Sequence, residues 1–199
     1  MKNKKHPYFL IGIAAFILTT FTGFGQEKAK DYLSAGEKIA FNAENYNLKW
    51  SSNPSANYYK QEYLRTADVF PNYQKMIILE IIKGNLTASQ AAGGKINELE
   101  NWKKSNPMVR YEKFENKDKN EITLDFVVSD GKSIYEWNVY RYQEQKNPSG
   151  NYLVLYCYSY RNYISEKVSV NQFLDFVTKT RMETINTIRR TAIPKVKTN

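Results

Sequence analysis

The chain has 199 residues, with 29 Lys and Arg against 20 Asp and Glu, 42% hydrophobic residues, 16 Tyr and a formal charge of +9. With a mean hydropathy of −0.63, this is the balance of a globular domain, and it excludes disordered, collagenous, coiled-coil and multispan membrane chains. His6 is the only histidine and Cys157 the only cysteine, so the chain has no internal disulfide, no Cys cluster for zinc or iron–sulfur and, beyond His6, no imidazole for Ser-His-Asp or Cys-His chemistry.

Lys2, Lys4 and Lys5 precede an uncharged, mostly apolar run over 8–24, and Gly23 and Gly25 stand three and one residues before a cut ahead of Gln26. This is the pattern of a secretory signal over residues 1–25. An uncleaved anchor is the alternative, because 17 uncharged residues lie at the short end of what spans a bilayer. Cleavage after Gly25 leaves 174 residues and, by removing three lysines, takes the formal charge from +9 to +6. The expected product is periplasmic or secreted, with no integral membrane span after cleavage and no nucleic-acid partner. It is organised as a flexible lead-in over 26–37, one domain over 38–194 and a basic tail over 195–199.

Regular structure is expected from about residue 38. Segments 46–50 and 58–65 are aromatic-rich strand candidates, and the Asn-, Pro- and Ser-rich run 51–57 between them reads as the turn of a hairpin. After a loop over 66–71, segment 73–83 carries apolar residues on both alternating faces, which suits a strand covered on both sides. The period then changes. Thr87 with Gln90 forms a capping box, and Ala88, Ala92, Ile96, Leu99 and Trp102 follow at helical spacing, so a helix is expected over 87–104, ahead of Pro107. Gly93 and Gly94 inside it cost about 2 kcal/mol against two alanines, and close packing on a sheet is the expected use of their missing side chains.

Four strand candidates follow at 109–115, 121–128, 133–144 and 152–161, joined by short polar turns that favour an antiparallel meander. Asn116, Asp118 and Asn120 alternate like calcium-loop ligands, but the glycine and closing glutamate of such a loop are missing, so this is a hairpin tip. Cys157 lies within a strand and reads as a small buried hydrophobe. Ser169 with Gln172 repeats the capping box, and Phe173, Val177, Thr180, Thr184, Ile185, Ile188 and Ala192 trace one face of a long carboxy-terminal helix that stops before Pro194. Lys179, Arg181, Arg189 and Arg190 fall in its later turns, where cations complement the helix dipole. The expected fold is therefore α+β: an antiparallel sheet of about six to seven strands whose apolar face is covered by two amphipathic helices, one in mid-chain and one carboxy-terminal.

The tyrosines supply the functional reading. Tyr152, Tyr156, Tyr158 and Tyr160 share one strand face, and Tyr140 and Tyr142 share another with Glu136 and Asn138. If the two strands are neighbours, Tyr140, Tyr142, Tyr156, Tyr158 and Tyr160, with Glu136 and Asn138, form an aromatic wall for an envelope protein or glycan. The competing reading is that tyrosine, a strong strand former, simply builds the sheet. Glu62, Glu80, Asp125 and Glu136 are strand carboxylates that a histidine-free glycosidase would need to pair, although no local pattern pairs them. An immunity or inhibitor protein is a third possibility. The expected role is that of a non-enzymatic binding or accessory module with no catalytic residues, metal or cofactor.

The segments Lys49-Trp50-Ser51-Ser52, 58–63, Glu98 to Lys104, 124–129 and Tyr158-Ser159-Tyr160-Arg161 resemble a family of small exported bacterial envelope proteins without assigned activity. The order of strands and helices is similar, more distantly, to the PsbP-like fold of photosystem extrinsic subunits. That resemblance implies an α/β/α sandwich and a non-catalytic assembly or binding role, and it transfers no catalytic or metal residue to any position.

Overall fold

The computed structural model describes residues 29–148 and 150–197; the expected signal segment lies outside them. The elements, in chain order, are β1 Lys38–Phe41, β2 Glu44–Ser55, β3 Tyr58–Arg65, β4 Lys75–Lys83, α1 Ala88–Lys103, β5 Arg110–Asn116, β6 Glu121–Ser129, β7 Ile134–Asn147, β8 Gly150–Tyr163 and α2 Val170–Arg190. They form one antiparallel sheet of 8 strands in the order β1-β2-β3-β4-β8-β7-β6-β5. The sheet is thus two meanders, β1–β4 and β5–β8, joined where β4 pairs with β8.

Both helices start where their capping boxes lie. The Gln90 N–H donates to Thr87 Oγ1 at 3.1 Å and that of Gln172 to Ser169 Oγ at 3.3 Å, each reciprocated by the glutamine side chain. The helices do not share a face of the sheet as expected. Ala88, Ala91, Ala92 and Leu99 of α1 cluster with Ile122, Leu124, Phe126, Leu153, Leu155 and Cys157. Phe173, Val177, Ile185 and Ile188 of α2 cluster with Val139, Val154, Tyr156 and Tyr158. Alternate residues of β8 therefore feed opposite cores, which makes the molecule a helix–sheet–helix sandwich. Tyrosine is apolar enough to fill the second core, and that lets both faces be buried.

Three local expectations change. A strand precedes the first expected one: β1 turns into β2 through Asn42 and Ala43, both at positive φ (49° and 60°), the geometry of a tight hairpin. β2 runs through the segment expected to be a turn, because β1 pairs only with its first four residues and, among the described residues, leaves Pro54 on a free edge, beside a bulge between Ser52 and Ser55. Gly93 and Gly94 do not pack closely, since a Cβ at either would meet nothing within 4 Å; it is Ala88, Ala91 and Ala92 that approach the sheet. Gly94→Ala is therefore expected to stabilise the protein by about 1 kcal/mol, read as a higher urea midpoint at unchanged slope. A lowered midpoint would restore a packing role for this glycine.

Candidate functional site

The tyrosines chosen from the sequence do not form a common surface. Across the β7–β8 ladder Val139 opposes Tyr158, Tyr140 opposes Cys157 and Arg141 opposes Tyr156. Tyr140 and Tyr142 therefore point toward α1, whereas Tyr156, Tyr158 and Tyr160 point toward α2. Tyr142, Tyr156, Tyr158 and Tyr160 are all buried, the most exposed at 8%. Tyr160 stacks with Phe173 and Phe176 of α2, with centroids at 5.9 and 4.0 Å, and Trp137 meets Tyr158 edge-on at 5.9 Å. Tyr140 packs edge-on against Phe126 at 4.8 Å. Burial pushes the Tyr140 and Tyr142 phenols well above their ordinary range, so neither supplies a phenolate. Tyr142, Tyr156, Tyr158 and Tyr160 are core and Tyr140 is half-buried against the α1-side cluster, so the five rings form no common wall open to a partner.

Glu136 and Asn138, expected beside that wall, belong to a part-buried polar knot. Asn138 Nδ2 donates to Glu136 Oε1 at 3.1 Å, Arg161 Nη2 lies 2.6 Å from Glu136 Oε2, and the Tyr73 hydroxyl donates to the same oxygen at 3.2 Å. The Arg161 guanidinium also lies over the Tyr73 ring at 4.2 Å. The knot ties the end of the loop before β4 to the sheet. Beneath α2, Asp125 accepts from the indole of Trp137 and from Arg181 Nε at 2.7 Å. Asp125 thus faces away from Glu62, Glu80 and Glu136, while Glu62 and Glu80 do come together, both gathered on the Lys60 ammonium at 2.9 and 3.6 Å. Each is held by a cation: Asp125 by Arg181, Glu136 by Arg161, and Glu62 and Glu80 by Lys60.

Near the start of β4, the loop is fastened electrostatically. Burial opposes ionisation of Asp68, but the Arg65 guanidinium at 2.7 Å and the amides of Gln74 and Lys75 outweigh it and hold the carboxyl below its ordinary range. Glu44 is held low in the same sense, its partial burial outweighed by Lys75 at 2.7 Å and Arg65 at 3.2 Å.

A second arrangement lies outside the residues expected from the sequence. On the α1 side of the sheet the helix packs on β5, β6 and β7, and the adjoining strands β2, β3 and β4 present an ordered row of unlike side chains. Trp50 of β2 opposes Glu62 of β3, and Ser52, Lys60 and Glu80 lie side by side across β2, β3 and β4. Because cross-strand partners share a face, all five side chains project from the same surface. Lys60 Nζ lies 2.9 Å from Glu62 Oε1 and 3.6 Å from Glu80 Oε1, and the Tyr58 hydroxyl donates to Glu80 Oε2 at 3.0 Å. Burial disfavours the charge on Lys60, but the two glutamates outweigh it and raise its pKa. Lys60 is therefore a fixed cation and not an amine nucleophile. Trp50 is half-buried and belongs to neither hydrophobic cluster. Among its neighbours the half-buried Tyr58 and Glu62 offer a phenol and a carboxylate beside the ring, while Lys60 and Glu80 are buried and hold them in place. The alternation of Tyr58, Lys60 and Glu62 is visible in the sequence, but the register that sets Trp50 against Glu62 is not.

A cleft of about 410 Å³ opens at the far end of the sheet, lined by Asn85, Thr87, Asn120, Glu144, Gln145 and Asn151 among others. Glu144 Oε1 accepts from the Ala88 N–H at 2.9 Å, so the amino-terminal charge of α1 is met by the protein's own carboxylate. Among the described residues, no three His, Cys, Asp or Glu side chains come together to hold a metal, and no helix is long and apolar enough to cross a membrane. No curated protein matches the chain. A family model matches it over residues 33–193, a span that includes all eight strands and both helices.

Proposed function

The chain belongs to an uncharacterised protein family, and from that premise we propose that it acts by contact, as an exported envelope module that binds a glycan on the β2–β4 platform. The observation that carries this reading is Trp50, an indole held at the sheet surface outside both hydrophobic clusters and directly opposite Glu62. A ring of this kind stacks on the apolar face of a sugar, while nearby carboxylates and hydroxyls exchange hydrogen bonds with its rim. Lys60, Glu62, Glu80 and Tyr58 hold one another in place, so their order is set before a ligand arrives. The basic leader and apolar run at the amino terminus support export. The layering of one helix on each face of an antiparallel sheet supports kinship with PsbP-like folds, whose members mostly act without catalysis.

A panel of immobilised bacterial polysaccharides and soluble oligosaccharides, probed with the protein from residue 26 onward, tests the reading. At least one glycan is expected to bind and to perturb indole fluorescence, and Trp50→Ala is expected to weaken it about tenfold or more, near 1.4 kcal/mol. The melting temperature should barely move, because Trp50 lies outside both cores. Binding unaffected by Trp50→Ala, or no binding across the panel, would overturn the proposal.

A further inference from the structure

Among the described residues, β5 ends the sheet and pairs over all seven of its residues with β6 alone. Its outer N–H and C=O groups therefore line an open edge, a template for a further strand. Two copies meeting there as antiparallel strands are related by a two-fold axis perpendicular to the sheet. Such an axis keeps each face on its own side, so every residue must oppose one of its own parity, and one residue must oppose itself. This condition leaves few registers. An axis through Glu112 or Glu115 sets two carboxylates directly opposite each other, and one through Lys113 sets two ammonium groups opposite, all unfavourable. An axis through Tyr111 avoids like charges but overlaps only residues 110–112.

An axis through Phe114 overlaps residues 112–116 with no like-charge pair. It places ring against ring at the centre, Lys113 against Glu115 twice, and Glu112 against Asn116 twice. Lys113 and Glu115 are half-exposed, and their contact within one chain is loose at 4.0 Å, so both remain able to answer a facing copy. We propose that the chain associates with a second copy edge to edge through β5, centred on Phe114, in one continuous antiparallel sheet. This inference is independent of the glycan platform, which lies toward the opposite edge of the sheet.

An association resting on five residues of strand is small by the standard of stable dimers, and a dissociation constant on the order of 100 μM is expected. Sedimentation equilibrium over a concentration series reads it directly. Lys113→Glu and Glu115→Lys each oppose like charges and are expected to weaken the dimer at least tenfold. The double swap, Lys113→Glu with Glu115→Lys, restores opposite pairs and is expected to recover the original constant. Both side chains are exposed, so the melting temperature of each variant should match the parent. A chain that stays monomeric to about 1 mM, a dimer indifferent to the single changes, or a double swap that fails to recover association would each overturn the proposal.

Discussion

Replacing Arg141 with alanine is expected to destabilise the protein by about 3–5 kcal/mol, the scale observed when one partner of a buried ion pair is removed. Arg141 is 5% exposed and lies 2.8 and 2.7 Å from Glu121 through Nε and Nη2. Its remaining nitrogen, Nη1, donates to the Ile188 and Thr191 carbonyls at 3.0 and 2.6 Å. One guanidinium therefore neutralises a buried carboxylate of β6 and satisfies carbonyls at the end of α2, where such groups have no partner within the helix. Without it, Glu121 remains 3% exposed as an uncompensated charge, and the end of α2 loses its tie to the sheet. For a chain of this length the change corresponds to a fall in Tm on the order of 10 °C. Arg141→Lys should rescue little, because an ammonium cannot reproduce the planar fork that serves both partners. Arg141→Met with Glu121→Leu should recover most of the loss. A urea midpoint for Arg141→Ala within error of the parent would show that the pair is not the clamp described.

Lys60→Met is expected to cost about 3 kcal/mol by the same physical logic, on the other side of the sheet. Glu80 is 2% exposed, and its cation is Lys60. Removing that ammonium leaves a buried carboxylate that accepts from the hydroxyl of Tyr58 but has lost its cation. Adding Glu80→Gln should return much of the stability, because a neutral amide is far less costly to keep from water. Thermal melts of the single and double variants read this coupling. The double variant also separates scaffold from contact: if it is folded yet no longer binds a glycan that the parent binds, Lys60 or Glu80 touches the ligand. If the two losses simply add, the ion pair is not what holds the platform together.

The elements that could be read in advance are those fixed by nearby residues. Thr87 with Gln90 and Ser169 with Gln172 place both helix starts, because the donors and acceptors of a capping box lie within four consecutive residues. Cys157 was legible as a buried hydrophobe because it sits among apolar and aromatic strand residues and is fully buried in the structure. Regular structure does begin at Lys38, but that it is a strand is not legible, because Lys38-Ile39-Ala40-Phe41 is too short to show a period and its turn is made by Asn42-Ala43 without the glycine that usually marks such hairpins. The end of β2 carries the signal of a turn because Pro54 is barred from a doubly paired strand, and nothing local shows that β1 stops short and leaves that stretch at an edge.

The candidate site depended most on information outside each segment. Alternation along β7 separates Tyr140 and Tyr142 from Trp137 and Val139, and alternation along β8 separates Tyr156 and Tyr158 from Leu155 and Cys157; both separations follow from the pleat alone. Whether Tyr140 falls opposite Tyr158 or opposite Cys157 is a matter of register, and a shift of one residue exchanges the two faces. The amino-acid order thus determined an antiparallel sheet, two capped helices and two kinds of strand face, because these arise from interactions spanning a few residues. The tertiary structure alone decided that the helices cover opposite faces, that the tyrosine faces are core, and that Trp50 stands beside Glu62, because these depend on pairings between strands far apart in the chain, which no local pattern encodes.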